Sequence, residues 1–210
     1  MPPIRRVRQH VNPLSIKYAN PAVAPDWQAM FANPQLPLHL DIGCGKGDFL
    51  REMAAQVPGW NFLGLEIREP LVQRSLLKAN PAKNLHFIFC NANNSLRPLL
   101  TTWPGGCPLQ RVSIQFPDPW FKKRHQKRRV VQPELVAVLA EVMPTDGWVW
   151  LQSDIKEVCE EMCDRFDENA AFARAGTGWL KESPFPAKTD REAVTEEKEL
   201  PVYRAKYMRM

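Results

Sequence analysis

The chain predicts an α/β fold built on a doubly wound, mostly parallel sheet, and three features support that expectation. Apolar runs of strand length recur through residues 38–166 and alternate with segments of helical apolar spacing, the pattern of linked β–α–β units. A turn with three glycines two apart, Gly43, Gly45 and Gly47, joins the first run to the first helical segment. Acids stand where runs end, at Asp41 and Glu66.

Residues 1–37 hold Pro2, Pro3, Pro13, Pro21, Pro25, Pro34 and Pro37, which leaves room for one short helix over 26–31. They are set apart as a proline-rich basic arm, with residues 38–210 as one domain. Arg5, Arg6 and Arg8 read either as a solvated terminus or as a grip on phosphate. Leu38, Leu40 and Ile42 mark the first strand, and the helix over 48–56 stops at Val57-Pro58-Gly59. Residues 60–65 form the second strand, closed by Glu66. The helix over 69–78 turns Leu71, Val72, Ser75, Leu76 and Ala79 to one side, and 84–90 is the third strand. It runs into Asn91-Ala92-Asn93-Asn94, and 103–108 is a loop. A fourth strand covers 111–116, and a helix over 133–143 has Pro133 at its first position with Leu135, Val136, Leu139 and Val142 inward. Asp146-Gly147 turns into the strand over 148–152, a helix follows to about residue 166, and 201–210 is a closing strand.

The bulk composition excludes several classes. Over 210 residues, 44% hydrophobic and 24% charged content is that of a globular chain. No apolar run is long enough to span a bilayer, and the N-terminus lacks the apolar core of a signal peptide, so a cytoplasmic protein with no membrane partner is expected. Five cysteines, at 44, 90, 107, 159 and 163, have no C-x-x-C spacing, which fits reduced thiols and no metal site.

Two constellations carry chemistry. A dinucleotide site asks for G-x-G-x-x-G to seat a pyrophosphate, whereas this chain has G-x-G-x-G preceded by Asp41. S-adenosylmethionine has no phosphate and presents an ammonium that a carboxylate can face, so Asp41, Gly43 and Gly45 favour that cofactor. Glu66, about 20 residues on, stands where a carboxylate accepts the ribose hydroxyls; its other reading is a helix cap beside Arg68. An amide of Asn91 or Asn93 could read the adenine edge, although asparagine is also a turn former. The second constellation is F-P-D-P-W-F-K-K-R-H-Q-K-R-R at 116–129, whose last eight residues hold six Lys or Arg. Beside Asp118 and Trp120 at the end of a central strand, these cations suit a phosphate backbone from which one base enters a pocket.

Taken in order, D-I-G-C-G-K-G, F-L-G-L-E-I-R, F-P-D-P-W-x-K-K-R-H-x-K-R-R, an S-D-I strand end and T-x-x-E at 189–192 resemble the tRNA (guanine-N7-)-methyltransferase family over residues 38–207. The resemblance implies a class I methyltransferase, with a Rossmann-like, seven-stranded sheet and an antiparallel C-terminal strand. It implies methyl transfer from S-adenosylmethionine to a guanosine in the variable loop of tRNA, by a monomer or homodimer. Carried over by position, cofactor contacts fall on Asp41, Glu66, Asn91 and Asp118. Substrate contacts fall on Lys122, Asp154, Thr189, Asp190, Arg191 and Glu192, and the basic loop on Arg124, Lys127, Arg128 and Arg129. The chain departs from many relatives in having Asp41 for Glu, Asn91 for an acid, and T-D-R-E for T-K-x-E, with Thr195-Glu196-Glu197 as a competing alignment. Asp118 is expected to be the catalytic group, holding the base through its N1–H and exocyclic amine while Trp120 stacks on it. A methyltransferase for another substrate would share Asp41 and Glu66 without needing the basic run, and a simple RNA-binding protein would need only the run.

Overall fold

The computed structural model describes residues 10–78, 80–106 and 108–210; Arg5, Arg6, Arg8, Ala79 and Cys107 lie outside the described residues. The strands are β1 (Leu38–Ile42), β2 (Asn61–Glu66), β3 (Leu85–Phe89), β4 (Leu109–Gln115), β5 (Trp148–Ser153), β6 (Phe172–Arg174) and β7 (Tyr203–Arg209). The helices are α1 (Trp27–Met30), α2 (Asp48–Gln56), α3 (Glu69–Leu76), α4 (Ala92–Thr101), α5 (Pro133–Val142), α6 (Lys156–Asp167) and α7 (Asp190–Glu197). One seven-stranded sheet has the order β3-β2-β1-β4-β5-β7-β6. β1 to β5 are parallel, and β7 runs antiparallel to β5 and β6. The chain winds outward from β1 through β2 to β3, then returns to place β4 on the other side of β1. That reversal opens a crevice above the carboxyl ends of β1 and β4, where open α/β sheets bind ligands.

The period-2 alternation of β1 splits its side chains between two environments. Leu38, Leu40 and Ile42 enter the larger core with Leu63, Val112 and Leu139. His39 turns to the other face, against Phe49, Phe62 and Phe185. The segment before β1 is tied into the same body: Asp26 caps α1 by accepting from the backbone of Gln28 and Ala29, and buried Trp27 stacks on Trp103 at 4.3 Å. Gly47, at the start of α2, has φ +72°, and a Cβ there would lie 2.4 Å from the Phe87 ring. Gly47→Ala is therefore expected to cost about 2–4 kcal/mol, read as a lower urea midpoint, since both the left-handed backbone and the overlap oppose it.

Three elements had no counterpart in the sequence reading: α4, β6 and α7. Pro98 inside α4 removes a helical hydrogen bond, a cost of about 3 kcal/mol. Leu96, Leu99 and Leu100 are buried there, and at about 1.5–3 kcal/mol each their burial outweighs that loss. β6 has three residues and, among the described residues, pairs only with β7. α7 has no apolar stripe, because its buried residues are Glu192 and Thr195.

Candidate active site in the switch-point crevice

Gly43, Gly45 and Gly47 all have positive φ. The turn is pinned to β2 by Gly43 N–H and Cys44 N–H, which both donate to the Leu65 carbonyl. Nothing lies within 4 Å of where a Cβ of Gly43 would be, so a ligand can approach that backbone.

Asp41 is 4% exposed. Its Oδ1 accepts from Ser113 Oγ at 2.6 Å and Gln115 Nε2 at 3.3 Å. Burial pushes its carboxyl up to about 6, opposed by those two hydrogen bonds and reinforced by the neighbouring charge of Glu66. Glu66 is also buried, and four donors surround it. Its Oε1 accepts from the backbone and Nε of Arg68, and its Oε2 from Gly45 N–H and an Arg68 terminal nitrogen, at 2.9–3.0 Å. A carboxylate offers about four lone-pair sites, so a diol reaching Glu66 must displace Arg68.

Two hollows share Gly43, Arg68 and Phe116. A cleft of about 880 Å³ is lined by Asp41, the glycine turn, Gln115 and, across it, Thr189, Asp190 and Arg191. A smaller hollow of about 110 Å³ lies above β1, β2 and β3, bounded by Glu66, Asn91, Asn93 and Asp118 and roofed by Val11 and Pro13. The acid-tipped strands and the P-D-P turn therefore meet in one crevice. Asn91 and Asn93 separate there: Asn91 Oδ1 caps α4 on Asn93 N–H and its amide nitrogen donates to Pro13 O, whereas the buried Oδ1 of Asn93 has no partner among the described residues. Asn93 is thus the side chain with an acceptor to spare.

Asp118 is partly exposed, and its Oδ1 meets His10 Nδ1 at 2.8 Å. Phe116 and Trp120 on either side of the P-D-P turn have φ of +48° and +42°, a conformation bulky residues rarely hold outside functional sites. The cations that follow form a short 3₁₀ helix, Lys123–Arg128. Lys122, Lys123, Arg124 and Lys127 are exposed. Arg128 lies over the Trp120 ring at 4.9 Å.

Two of the expected substrate contacts are engaged by other residues of the protein. Arg129 points inward, its Nε donating to Pro119 O and its guanidinium paired with Glu161, so it anchors the turn. Glu192 is 1% exposed, and its carboxylate is held by Arg204 and Gln152. Thr189 caps α7 by accepting from Glu192 N–H, so the Thr of T-x-x-E here serves as an N-cap. Asp154 is paired with Arg191 beside the cleft. The sequence reading missed His39, Ser113, Gln115 and Gln152, although polar residues at alternate positions of buried strands were a visible signal.

Comparison with known proteins places this crevice in a family. A family model described as "Putative methyltransferase" matches residues 35–205. A tRNA (guanine-N(7)-)-methyltransferase of Trichormus variabilis is 55% identical, covering 99% of this chain and 98% of the relative. The chain belongs to the tRNA (guanine-N(7)-)-methyltransferase family. Its namesake from Synechococcus elongatus is also 55% identical, over 97% of this chain and 96% of its own. Among solved structures, the 16S rRNA methyltransferase KamB superposes with a TM-score of 0.59 at 15% identity, covering 90% of this chain and 96% of that one, which is a likeness of fold. The described helices include none long and apolar enough to cross a membrane.

Proposed function

We propose that the chain is a cytoplasmic, S-adenosylmethionine-dependent enzyme that methylates N7 of a guanosine in the variable loop of tRNA. The observation that carries this reading is the position of Asp118. It borders the same hollow as Glu66 and Gly43, and the exposed cations follow it directly in the chain. S-adenosylmethionine, when bound, supplies a methyl group on a positively charged sulfur. Asp41 faces its ammonium, Glu66 accepts the ribose hydroxyls once Arg68 withdraws, and Asn93 Oδ1 accepts from the adenine amine. Guanine N7 bears a lone pair and no proton, so no general base is needed at that atom, and the residues work by orientation. Asp118 exchanges His10 for the N1–H and amine of the base, favouring the positive charge that grows on the ring. Trp120 stacks on that ring. Lys122, Arg124 and Lys127 hold backbone phosphates.

Incubation with labelled methyl donor and tRNA transcripts, followed by mapping of the modified base, tests the reading. Label at a variable-loop guanosine N7 is the expected result; turnover on small molecules or proteins without tRNA would replace it with another methyltransferase activity.

Two further results are expected. With those three cations on phosphates, the logarithm of tRNA affinity should fall with log salt at a slope of about −2.1 to −2.7. Lys127→Ala should reduce that slope by about 0.7–0.9, whereas Arg129→Ala should lower stability and leave the slope unchanged. A salt-independent affinity would exclude a phosphate-gripping loop. The second concerns pH. Because the Asp41 carboxyl is raised to about 6, its contribution to the stability of the free protein is whole below about pH 4 and is lost as pH rises through 6. Cofactor binding runs the other way, since an ammonium needs the ionised form. Calorimetry should find S-adenosylhomocysteine bound about tenfold more weakly at pH 5 than at pH 7.5, with the difference absent in Asp41→Asn. A flat wild-type profile would remove Asp41 from the ammonium site.

A further inference from the structure

A buried polar column crosses the second face of the sheet, from the cofactor-side carboxylate to the helix that walls the substrate cleft. It begins at fully buried His39, whose Nε2 lies 2.9 Å from Ser113 Oγ. Ser113 Oγ and Gln115 Nε2 both donate to Asp41. Gln152 Nε2 donates to Gln115 Oε1 at 2.9 Å and to Glu192 Oε2 at 3.1 Å. Trp150 Nε1 donates to Gln152 Oε1 at 3.1 Å, and Arg204 holds both Glu192 and Glu196 of α7. Gln115 is 9% exposed, and Gln152 is not exposed at all.

The donors and acceptors permit one arrangement. An indole nitrogen can only donate, so Trp150 sets the Gln152 oxygen toward itself and Arg204. The Gln152 amide nitrogen must then face Gln115 and Glu192, which turns the Gln115 oxygen toward Gln152 and its nitrogen toward Asp41. Reversing either amide would set oxygen against oxygen or nitrogen against nitrogen, so the column behaves as one unit. Its two ends are functional in the reading above. Asp41 lines the cleft from the sheet, and Thr189, Asp190 and Arg191 line it from α7. α7 has no apolar stripe, and its buried Glu192 is held by this column and Arg204.

We propose that Gln152 and Gln115 are positioning residues for methyl transfer. They transmit the seating of the cofactor at Asp41 to α7, so that the substrate wall is set once the donor is bound. The proposal rests on the function proposed above, but its first test does not require tRNA. Hydrogen exchange of residues 190–197 is followed with and without S-adenosylhomocysteine. In the wild type the ligand should slow exchange there by about tenfold or more; in Gln152→Met, of similar volume, it should still bind while that protection disappears. Unchanged protection in the variant, or none in the wild type, overturns the proposal. Gln115→Met breaks the column while leaving Glu192 with Gln152 and Arg204. It therefore serves as the second variant if Gln152→Met does not fold, and it should lose protection in the same way. With tRNA, each variant should lower kcat by about tenfold or more with KM for the cofactor within about threefold, and the double variant should be no worse than either single one. Multiplying losses would mean two independent defects and would also overturn the proposal. Wild-type protein that shows the protection but modifies no tRNA would instead refute the functional reading and leave the coupling intact.

Discussion

Asp118→Ala is expected to lower tRNA methylation by about 10²–10³-fold while S-adenosylhomocysteine binds within about threefold of the wild-type affinity. The reason lies in the two ends of the crevice. In the proposed reading Asp41, Glu66 and Asn93 hold the cofactor from positions on or beside the ends of the strands, Asp41 and Glu66 being buried, and alanine at 118 disturbs none of them. What is lost is a pair of hydrogen bonds from a base to a carboxylate. At about 1.5–3 kcal/mol for a hydrogen bond to a charged group, one such bond accounts for tenfold or more, and two for the whole range. The bonds strengthen as positive charge gathers on the guanine ring, so the loss should fall on kcat more than on tRNA affinity. Asp118→Asn should recover little, because its amide nitrogen meets a donor edge. Single-turnover methylation beside a calorimetric titration separates the two effects. A variant with intact turnover would dismiss Asp118 as the orienting group, and one that failed to bind cofactor would make it a cofactor contact.

Arg204→Ala is expected to lower stability by about 3–5 kcal/mol, the cost of leaving a buried charge without its partner. For a chain of this length, that is a fall in melting temperature of about 6–20 °C. Arg204 is 5% exposed and Glu192 1%. One guanidinium reaches Glu192, Glu196, Gln152 Oε1 and the Lys181 carbonyl. A lysine has donors at only one point, so Arg204→Lys should recover part of the loss. The half-exposed pair Arg97–Glu141 is the control: Arg97→Ala should cost at most about 1 kcal/mol, since water screens it and its long side chains regain freedom. Equal urea midpoints for Arg204→Ala and Arg97→Ala would show that the pair beneath α7 is not the anchor it is taken to be.

The strands that form the crevice were legible because their signals are local. Leu38, Leu40 and Ile42 make a strand by their own alternation, Gly43 to Gly47 make a tight turn by lacking side chains, and Pro133 opens a helix by its fixed φ. α2 was anticipated to the residue, and α5 to within one at its end. α4 was not, because Pro98 speaks against a helix in the sequence and the burial of Leu96, Leu99 and Leu100 answers it only in the folded core. α7 has no periodicity to read, and only its T-x-x-E cap could have marked its start.

The site divides along the same line. Which residue types would be present was open to reading: an acid before the glycines, an acid at the end of β2, asparagines after β3, and an acid and an aromatic ahead of a basic run. Which of them face a ligand was decided by partners distant in the chain. Arg129 and Glu161 are 32 residues apart, and Gln152 and Glu192 are 40. Each pairing turns a charge or amide away from the solvent. Among the described residues Asn93 Oδ1 has no partner where Asn91 Oδ1 has one, through the accident of what each amide meets. Periodicity and turn chemistry act between near neighbours and so survive in a linear text, whereas the fate of a polar group depends on strand order and register, which bring together residues that no local pattern connects.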